Sequence, residues 1–407
     1  MKIAILTDTY LPFVNGVATH AATLRDGLVA AGHEVLVITV KPKAKTHVLK
    51  DGVLYCPAVP LKKIYGYGVT IPTSHERMQY IRDFNPDILH LHTEFSMGLF
   101  ALYVQKMLKV PLVYTLHTMY DEYIHYLVPG KMDGMAQPLV HAYIRRISAK
   151  TAQLIGPSQK VAEYFRFCGV DKPVNIVPNS VDTNAFQRET VDPAKVQAIC
   201  KHLHIQDDDV ALCFVGRLGK EKSVNVAIDN FAKAFKGEEH FKFFIIGTGP
   251  DKEALAAQIR SLGVEKQVKM LGRIEHADIP PYFQACSLFT TASLSEMNSI
   301  SLLEATASGL YAITRLDPNN TDQITAGENG ETYTTPQEFE AHVRRYAALP
   351  RKEKDALRAQ VEKHALHYGR NEFVLQILNV YIRAILQKGR RGIFNFLPEK
   401  SSKTSPK

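Results

Sequence analysis

Short, unbroken apolar runs alternate along this chain with stretches whose apolar residues recur at helical spacing. The first run, IAILTD (Ile3 to Asp8), predicts a buried strand. The loop TYLPFVNGVATH follows it, and AATLRDGLVAAG then carries a helical pattern that Gly32 ends. EVLVITV predicts the next strand, and DILHLH, PLVYTLH, QLIGPS and NIVPNS predict more, each separated by helical segments. Strands that lack a polar face belong in a parallel sheet covered on both sides, where ligands bind at the carboxyl ends.

The pattern restarts at VALCFVGRLGKEKSVNVAIDNFAKAF. There a strand leads into a basic loop and then a helix with apolar Val226, Ile228, Phe231 and Phe235. FKFFIIG, QVKMLG and CSLFTTA predict strands, and GLYAITR follows a helix that starts near Ser299. The intervening PNSVDTNAFQRETVDPAKV is rich in Pro, Asn, Asp and Thr and reads as a linker, with a boundary near 180–195. The expected fold is α/β, with two Rossmann-like doubly wound parallel-sheet domains at 1–185 and 195–365. A C-terminal helix near 371–388, FVLQILNVYIRAILQK, has an apolar stripe and is expected to complete the first domain, leaving a basic tail at 389–407.

A length of 407 residues suits two cores, and 45% apolar with 22% charged residues suits a soluble globular chain. The N-terminus reads as a first strand and not as a signal peptide, and no apolar run nears the ~20 residues that cross a bilayer. Membrane contact is therefore expected to be peripheral. Five scattered cysteines with no C-x-x-C suit reduced structural thiols in a cytoplasm. The net charge of +8 implies anionic partners, and Lys388, Arg390, Arg391, Lys400, Lys403 and Lys407 face only Glu399 in the tail. No zinc module, basic zipper or aromatic RNA-binding signature accompanies them, which argues against nucleic acid. Asp207, Asp208 and Asp209 precede a strand and read as a solvated turn, so no metal site is expected.

Four motifs carry candidate chemistry. In SLSEMNSISLLEATASGL, Glu296 and Glu304 lie eight positions apart, which on a continuous helix puts both on one face. Ser295 then places the first at the helix mouth. The pair either grips a polyhydroxylated ligand or decorates a solvated helix. In VGRLGKEK, Arg217 and Lys222 flank Gly219 after a strand end; they either neutralise a diphosphate as it leaves or form a solvated basic loop. Asn15-Gly16-Val17 precedes a helix, where a glycine admits a phosphate or simply makes the turn. The G-T-G of IIGTGP lacks the third glycine of a dinucleotide fingerprint.

In their order and spacing these four stretches resemble the signatures of family-4 retaining glycosyltransferases of the GT-B fold, whose two domains face a central cleft. HLHTEFSMGLF and TLHTMYDEYIHY are similar to segments of bacterial diacylglycerol glucosyltransferases. The resemblance implies a UDP-sugar donor, UDP-glucose above all, and a lipid acceptor such as diacylglycerol or glycosyl-diacylglycerol at an anionic membrane. It implies a cytoplasmic protein peripheral on the inner face of the cell membrane with no cofactor; that no metal is needed is expected from the lack of a metal site together with the Arg217/Lys222 pair. By the same resemblance Glu296 would bind the hexose, Glu304 the ribose, and Arg217 and Lys222 the diphosphate. Gly247 would join the donor site, and Met297, Asn298 and Ser299 would offer backbone amides to sugar hydroxyls. Gly16 would let its loop close on the donor, and His117 would reach the sugar. His92, Glu94 and Tyr120 would shape the acceptor pocket, with His90 near them.

Ser299 stands where many members have glycine, and Tyr311 where a proline is usual. Lys62, Lys63, Tyr65 and Tyr67, with the basic tail, favour a lipid surface. A soluble or polysaccharide acceptor, a GT-B epimerase or phosphorylase, and a non-catalytic nucleotide-sugar-binding subunit remain as alternatives.

Overall fold

Strand β1 (Lys2–Leu6) lies between two parallel neighbours, β2 (Glu34–Pro42) and β6 (Ile88–Leu91), and Ile3, Ala4, Ile5 and Leu6 are all fully buried. This computed structural model describes residues 1–13, 15–60, 68–122, 133–318 and 321–394. On its outer side β2 pairs with β4 (Val53–Pro60), which holds the short antiparallel β3 (Val48–Lys50) and β5 (Gly68–Val69). Beyond β6 come β7 (Leu112–Thr115), β8 (Gln153–Gly156) and β9 (Val174–Ile176), all parallel. The order β4-β2-β1-β6-β7 changes direction between β1 and β6, and ligands favour the carboxyl side of such a switch point.

Helix α1 (Gly16–Ala30) starts because Asn15 Oδ1 accepts from the Ala18 amide at 2.8 Å. Ala18, Ala21, Leu24 and Leu28 form its buried stripe. The C-terminal helix spans Arg370–Phe394, longer than the 371–388 expected, and buries Ile377, Val380, Tyr381 and Ala384. Tyr381 Oη lies 2.7 Å from His90 Nδ1 in the core, and Thr115 Oγ1 lies 2.7 Å from the other ring nitrogen. Tyr381→Phe leaves that buried ring nitrogen without a partner. We expect a loss of about 1–3 kcal/mol, read as a lower urea midpoint for the transition of this unit; an unchanged midpoint would overturn the assignment.

The second sheet has the order β12-β11-β10-β13-β14-β15 and is wholly parallel. Its strands are β10 (Val210–Val215), β11 (Phe241–Ile246), β12 (Val268–Gly272), β13 (Leu288–Thr291), β14 (Tyr311–Arg315) and β15 (Gly330–Tyr333). The helix Val224–Phe235 packs Val224, Ala227, Ile228, Phe231 and Phe235 into the same core as Phe241 and Phe243. Here the direction changes between β10 and β13, and the loops after these two strands carry the basic motif and the glutamate motif.

Two compact units result: Met1–Pro157 with Val161–Val177 and Val374–Lys407, and Ser158–Lys160 with Pro178–Phe373. Residues 178–185, read from sequence as part of the first domain, thus belong to the second. The expected linker is folded. It contains helices at Thr183–Phe186 and Pro193–Leu203, and Val181 bridges to Gly369. The cause is apolar burial, since Phe186 and Val181 enter the core of the second unit. The acidic turn also differs from expectation. Asp207 and Asp208 are exposed, but Asp209 is half-buried, with its carboxylate turned in against Lys242 and accepting from the Gln206 backbone amide at 2.7 Å. The patch Lys62, Lys63, Tyr65, Tyr67 lies outside the described residues, as do the side chains of the tail from Arg390 onward.

Candidate functional site

In the second unit the loop after β10 meets the loop after β13. Lys222 closes a 3-10 turn, and its Nζ lies 2.6 Å from Glu296 Oε1. Arg217 pairs with Glu221 four residues on, with Nε 3.1 Å from Oε1, and the Glu221 carboxylate is almost fully buried. The Glu221 carbonyl accepts from Ser295 Oγ at 2.8 Å and Ser293 Oγ at 3.2 Å, which ties the basic turn to the post-β13 loop. Glu221 escaped the sequence reading, though its i,i+4 spacing from Arg217 signals the pair.

The glycines of this region make a crossing. Gly247 has φ +145, and a Cβ there would fall 1.8 Å from the Gly216 carbonyl oxygen; one on Gly249 would fall 2.2 Å from that of Leu218. Leu218 N donates to Thr248 O, and Asp251 N donates to Leu218 O, both at 3.0 Å. Gly247 therefore has a structural role that its sequence-level place in a donor site did not include. It lets two backbones touch, and so anchors the loop that carries Arg217 and Lys222.

The two glutamates do not share a helix. The helix spans Ile300–Ala307, and its cap is Ser299, whose Oγ accepts from Leu302 N at 3.3 Å. Ser295, the expected cap, is occupied by Glu221. Glu296 therefore sits half-buried in the loop, while Glu304 lies inside the helix, 5% exposed. The Glu304 Oε1 lies 2.6 Å from His276 Nε2, and that hydrogen bond raises the His276 pKa above its ordinary 6.5 against the opposing effect of burial. Neither carboxylate is merely solvated.

Backbone amides at 297–299 are only partly available. Ser299 N donates to Gln323 Oε1 at 2.6 Å, which corrects its expected role toward a sugar hydroxyl; that amide is already used. Asn298 is gripped by Asn179, whose amide and Nδ2 donate to Asn298 Oδ1 and O at 2.9 and 2.7 Å. Met297 is half-buried beside them.

In the first unit the turns after β6 and β7 bring His92 and His117 together, with His92 Nδ1 3.0 Å from His117 Nε2. His20, on α1, meets the His117 ring edge-on at 4.5 Å between centroids. Burial holds the pKa values of His92 and His117 well below 6.5, so both rings are neutral. His20 was not singled out from sequence, because three separate elements assemble this cluster. Gly16 is the first residue of α1, directly after the Asn15 cap.

Glu94 and Tyr120, both expected to face an acceptor, bind each other. The Glu94 carboxylate also accepts from Tyr114 Oη at 2.6 Å, and burial pushes its pKa up to about 7. His90 is fully used by Tyr381 and Thr115. Asp8, at the end of β1, accepts from Thr93 Oγ1 at 2.7 Å and from Met97 N at 3.2 Å, the latter in the first turn of the helix Ser96–Leu108. Burial raises its pKa to about 6.

Residues 14–185 match the Glycosyltransferase Family 4 model, and residues 196–365 match Glycosyl transferases group 1. The chain is 31% identical over 348 residues to alpha-monoglucosyldiacylglycerol synthase of Acholeplasma laidlawii, covering 84% of this chain and 87% of that protein. The chain belongs to glycosyltransferase family 4. The glycosyltransferase is also 28% identical over 320 residues to alpha-monoglucosyldiacylglycerol synthase of Streptococcus pneumoniae, covering 78% of this chain and 72% of that one. Its fold is GT-B. It matches Anabaena Alr3699/HepE in complex with UDP-glucose at TM-score 0.69 and 18% identity, over 93% of this chain and 98% of that one. It matches sucrose-phosphate synthase from Thermosynechococcus elongatus at TM-score 0.73 and 16% identity, over 97% and 99%. Among the described residues no helix is long and apolar enough to cross a membrane.

Proposed function

We propose that this glycosyltransferase moves glucose from UDP-glucose to a membrane lipid, diacylglycerol or glycosyl-diacylglycerol, with retention of configuration and without a metal, at the inner face of the cell membrane. The observation that carries the reading is the Lys222–Glu296 pair at the carboxyl ends of β10 and β13. It joins a cation suited to a diphosphate with a carboxylate suited to sugar hydroxyls. The names of the two relatives support the lipid acceptor, and the UDP-glucose complex of the Anabaena protein supports the donor.

In this reading the diphosphate takes Lys222 and Arg217, and Glu296 turns from Lys222 to the hexose. The bond from the anomeric carbon to the diphosphate oxygen breaks. The acceptor oxygen bonds to that carbon on the same face and passes its proton to the departing diphosphate. Two cations stabilise the negative charge that collects there. His117 hydrogen-bonds the transferred sugar as a neutral imidazole, and Gly16 leaves the loop before α1 able to close.

The test is UDP release from UDP-glucose with vesicles containing diacylglycerol, in buffer with EDTA. Release that needs the lipid, survives EDTA and yields an α-linked glycolipid supports the reading; release with soluble acceptors alone, or only with added Mg2+ or Mn2+, overturns it. Vesicle binding should rise with anionic lipid and fall with salt.

Glu304 meets the ribose, and so must leave His276. Protonated His276 holds Glu304 more tightly than neutral His276 does. The KM for UDP-glucose should therefore rise as pH falls through the raised His276 pKa, and drop as pH climbs above it. His276→Gln should flatten that profile while leaving kcat within about twofold, as expected for a contact equal in ground and transition states. A profile unchanged by the substitution would sink this role.

A further inference from the structure

We propose that His20, His92 and His117 form a binding site for a borderline transition-metal cation such as Zn2+, and that filling it arrests sugar transfer. One nitrogen from each ring lies within 4.8 Å of the others, and the rings come from α1 and from the turns after β6 and β7. The donor set is imidazole alone. Such a set favours Zn2+, Cu2+, Ni2+ or Co2+ and disfavours Mg2+ and Ca2+, which need oxygen ligands.

The spacing suits a tetrahedral ion. Two nitrogens each ~2.0–2.1 Å from zinc lie about 3.4 Å apart at the tetrahedral angle. His92 Nδ1 and His117 Nε2 are already 3.0 Å apart. A separation of at most 4.8 Å to the third nitrogen closes with a shift of about 1.4 Å, within the reach of a χ rotation. The rings are held ready for this. Imidazoles bind metal in the neutral form, and His92 Nδ1, the nitrogen that faces His117 Nε2, is the one placed to ligate. His117 is half-buried while its two neighbours are buried, so an ion enters at His117 and water takes the fourth position.

The inhibitory half of the proposal rests on the reading that His117 serves the sugar; the binding half does not. A coordinated His117 no longer offers that nitrogen to a substrate hydroxyl. Zn2+ thus acts against a reaction that runs without a metal.

The experiment titrates the full chain, stripped with EDTA and dialysed, with Co2+. One equivalent should give the visible absorption of tetrahedral cobalt, and Zn2+ should bleach it while Mg2+ does not. Imidazole 15N NMR of the unaltered chain should show three histidines shifting with Zn2+, a readout that needs no variant. His20→Gln and His92→Gln, each checked for folding by circular dichroism, should weaken cobalt binding at least about tenfold. Zn2+ should abolish UDP release, and EDTA should restore it. No cobalt band, no shifted imidazoles, or equal affinity in folded variants would overturn the site. Cobalt binding with undiminished transfer would keep the site and remove His117 from the reaction.

Discussion

In the proposed reaction, Glu296→Gln is expected to lower kcat with UDP-glucose by about a hundredfold or more, with a much smaller change in KM. Gln has the same shape and still accepts a hydrogen bond from Lys222, so the loop keeps its geometry. What disappears, on the proposed reading, is negative charge beside a sugar whose reacting carbon gains positive charge as the diphosphate leaves. A contact that strengthens only in the transition state shows in kcat, and removing one preorganised electrostatic group of this kind costs ~10²–10³-fold. Glu296 lies in a loop, half-buried, and does not cap the neighbouring helix, so the substitution should leave the melting temperature nearly unchanged. Steady-state kinetics on the folded variant decide the matter. Wild-type kcat would mean that Glu296 only neutralises Lys222.

Lys222→Gln is expected to cost a similar factor, ~10²–10³-fold in kcat, by a different route. In the proposed reaction the departing diphosphate loses one of its two charge-assisted contacts, and Arg217, which keeps the other while paired with Glu221, does not make up for it. The free protein also keeps Glu296 without its ion pair. Since the two residues touch at 2.6 Å, the double variant Glu296→Gln/Lys222→Gln should lose less than the product of the two single losses. Full multiplicativity would show that the two residues act independently, and the proposed exchange of partners would fall.

Both sheets were legible because their strands are unbroken apolar runs, a pattern that survives without any knowledge of contacts. The helix in the glutamate motif was harder. Ser295 and Ser299 both fit a cap, and nothing within the motif reveals that Ser295 is committed to a carbonyl 74 residues earlier. The use of the Ser299 amide by Gln323, and the grip of Asn179 on Asn298, are likewise long-range hydrogen bonds invisible to local spacing. Gly247 was assigned by motif position, whereas its backbone φ, and the Gly216 carbonyl oxygen that would lie only 1.8 Å from any Cβ there, show a steric requirement. The histidine cluster stayed hidden for the same reason. His92 and His117 each stood at a strand end, but His20 fell at the end of the loop TYLPFVNGVATH, before the helical pattern begins. The linker was misread because its Pro, Asn and Asp content outweighed two apolar residues, Val181 and Phe186, that decide its packing.

The return of the C-terminal helix to the first unit sets an order on biosynthesis. Everything in the second unit up to Phe373 leaves the ribosome before Val374 and the helix that carries Tyr381. Between Val177 and Val374, at ~5–20 residues per second, roughly 10–40 s of translation pass. Through that interval the nascent first sheet holds His90 without its tyrosine and an apolar face without its cover. The unit translated first is therefore the last to be finished, and a chain halted near residue 373 would carry a complete second unit and a first sheet still uncovered.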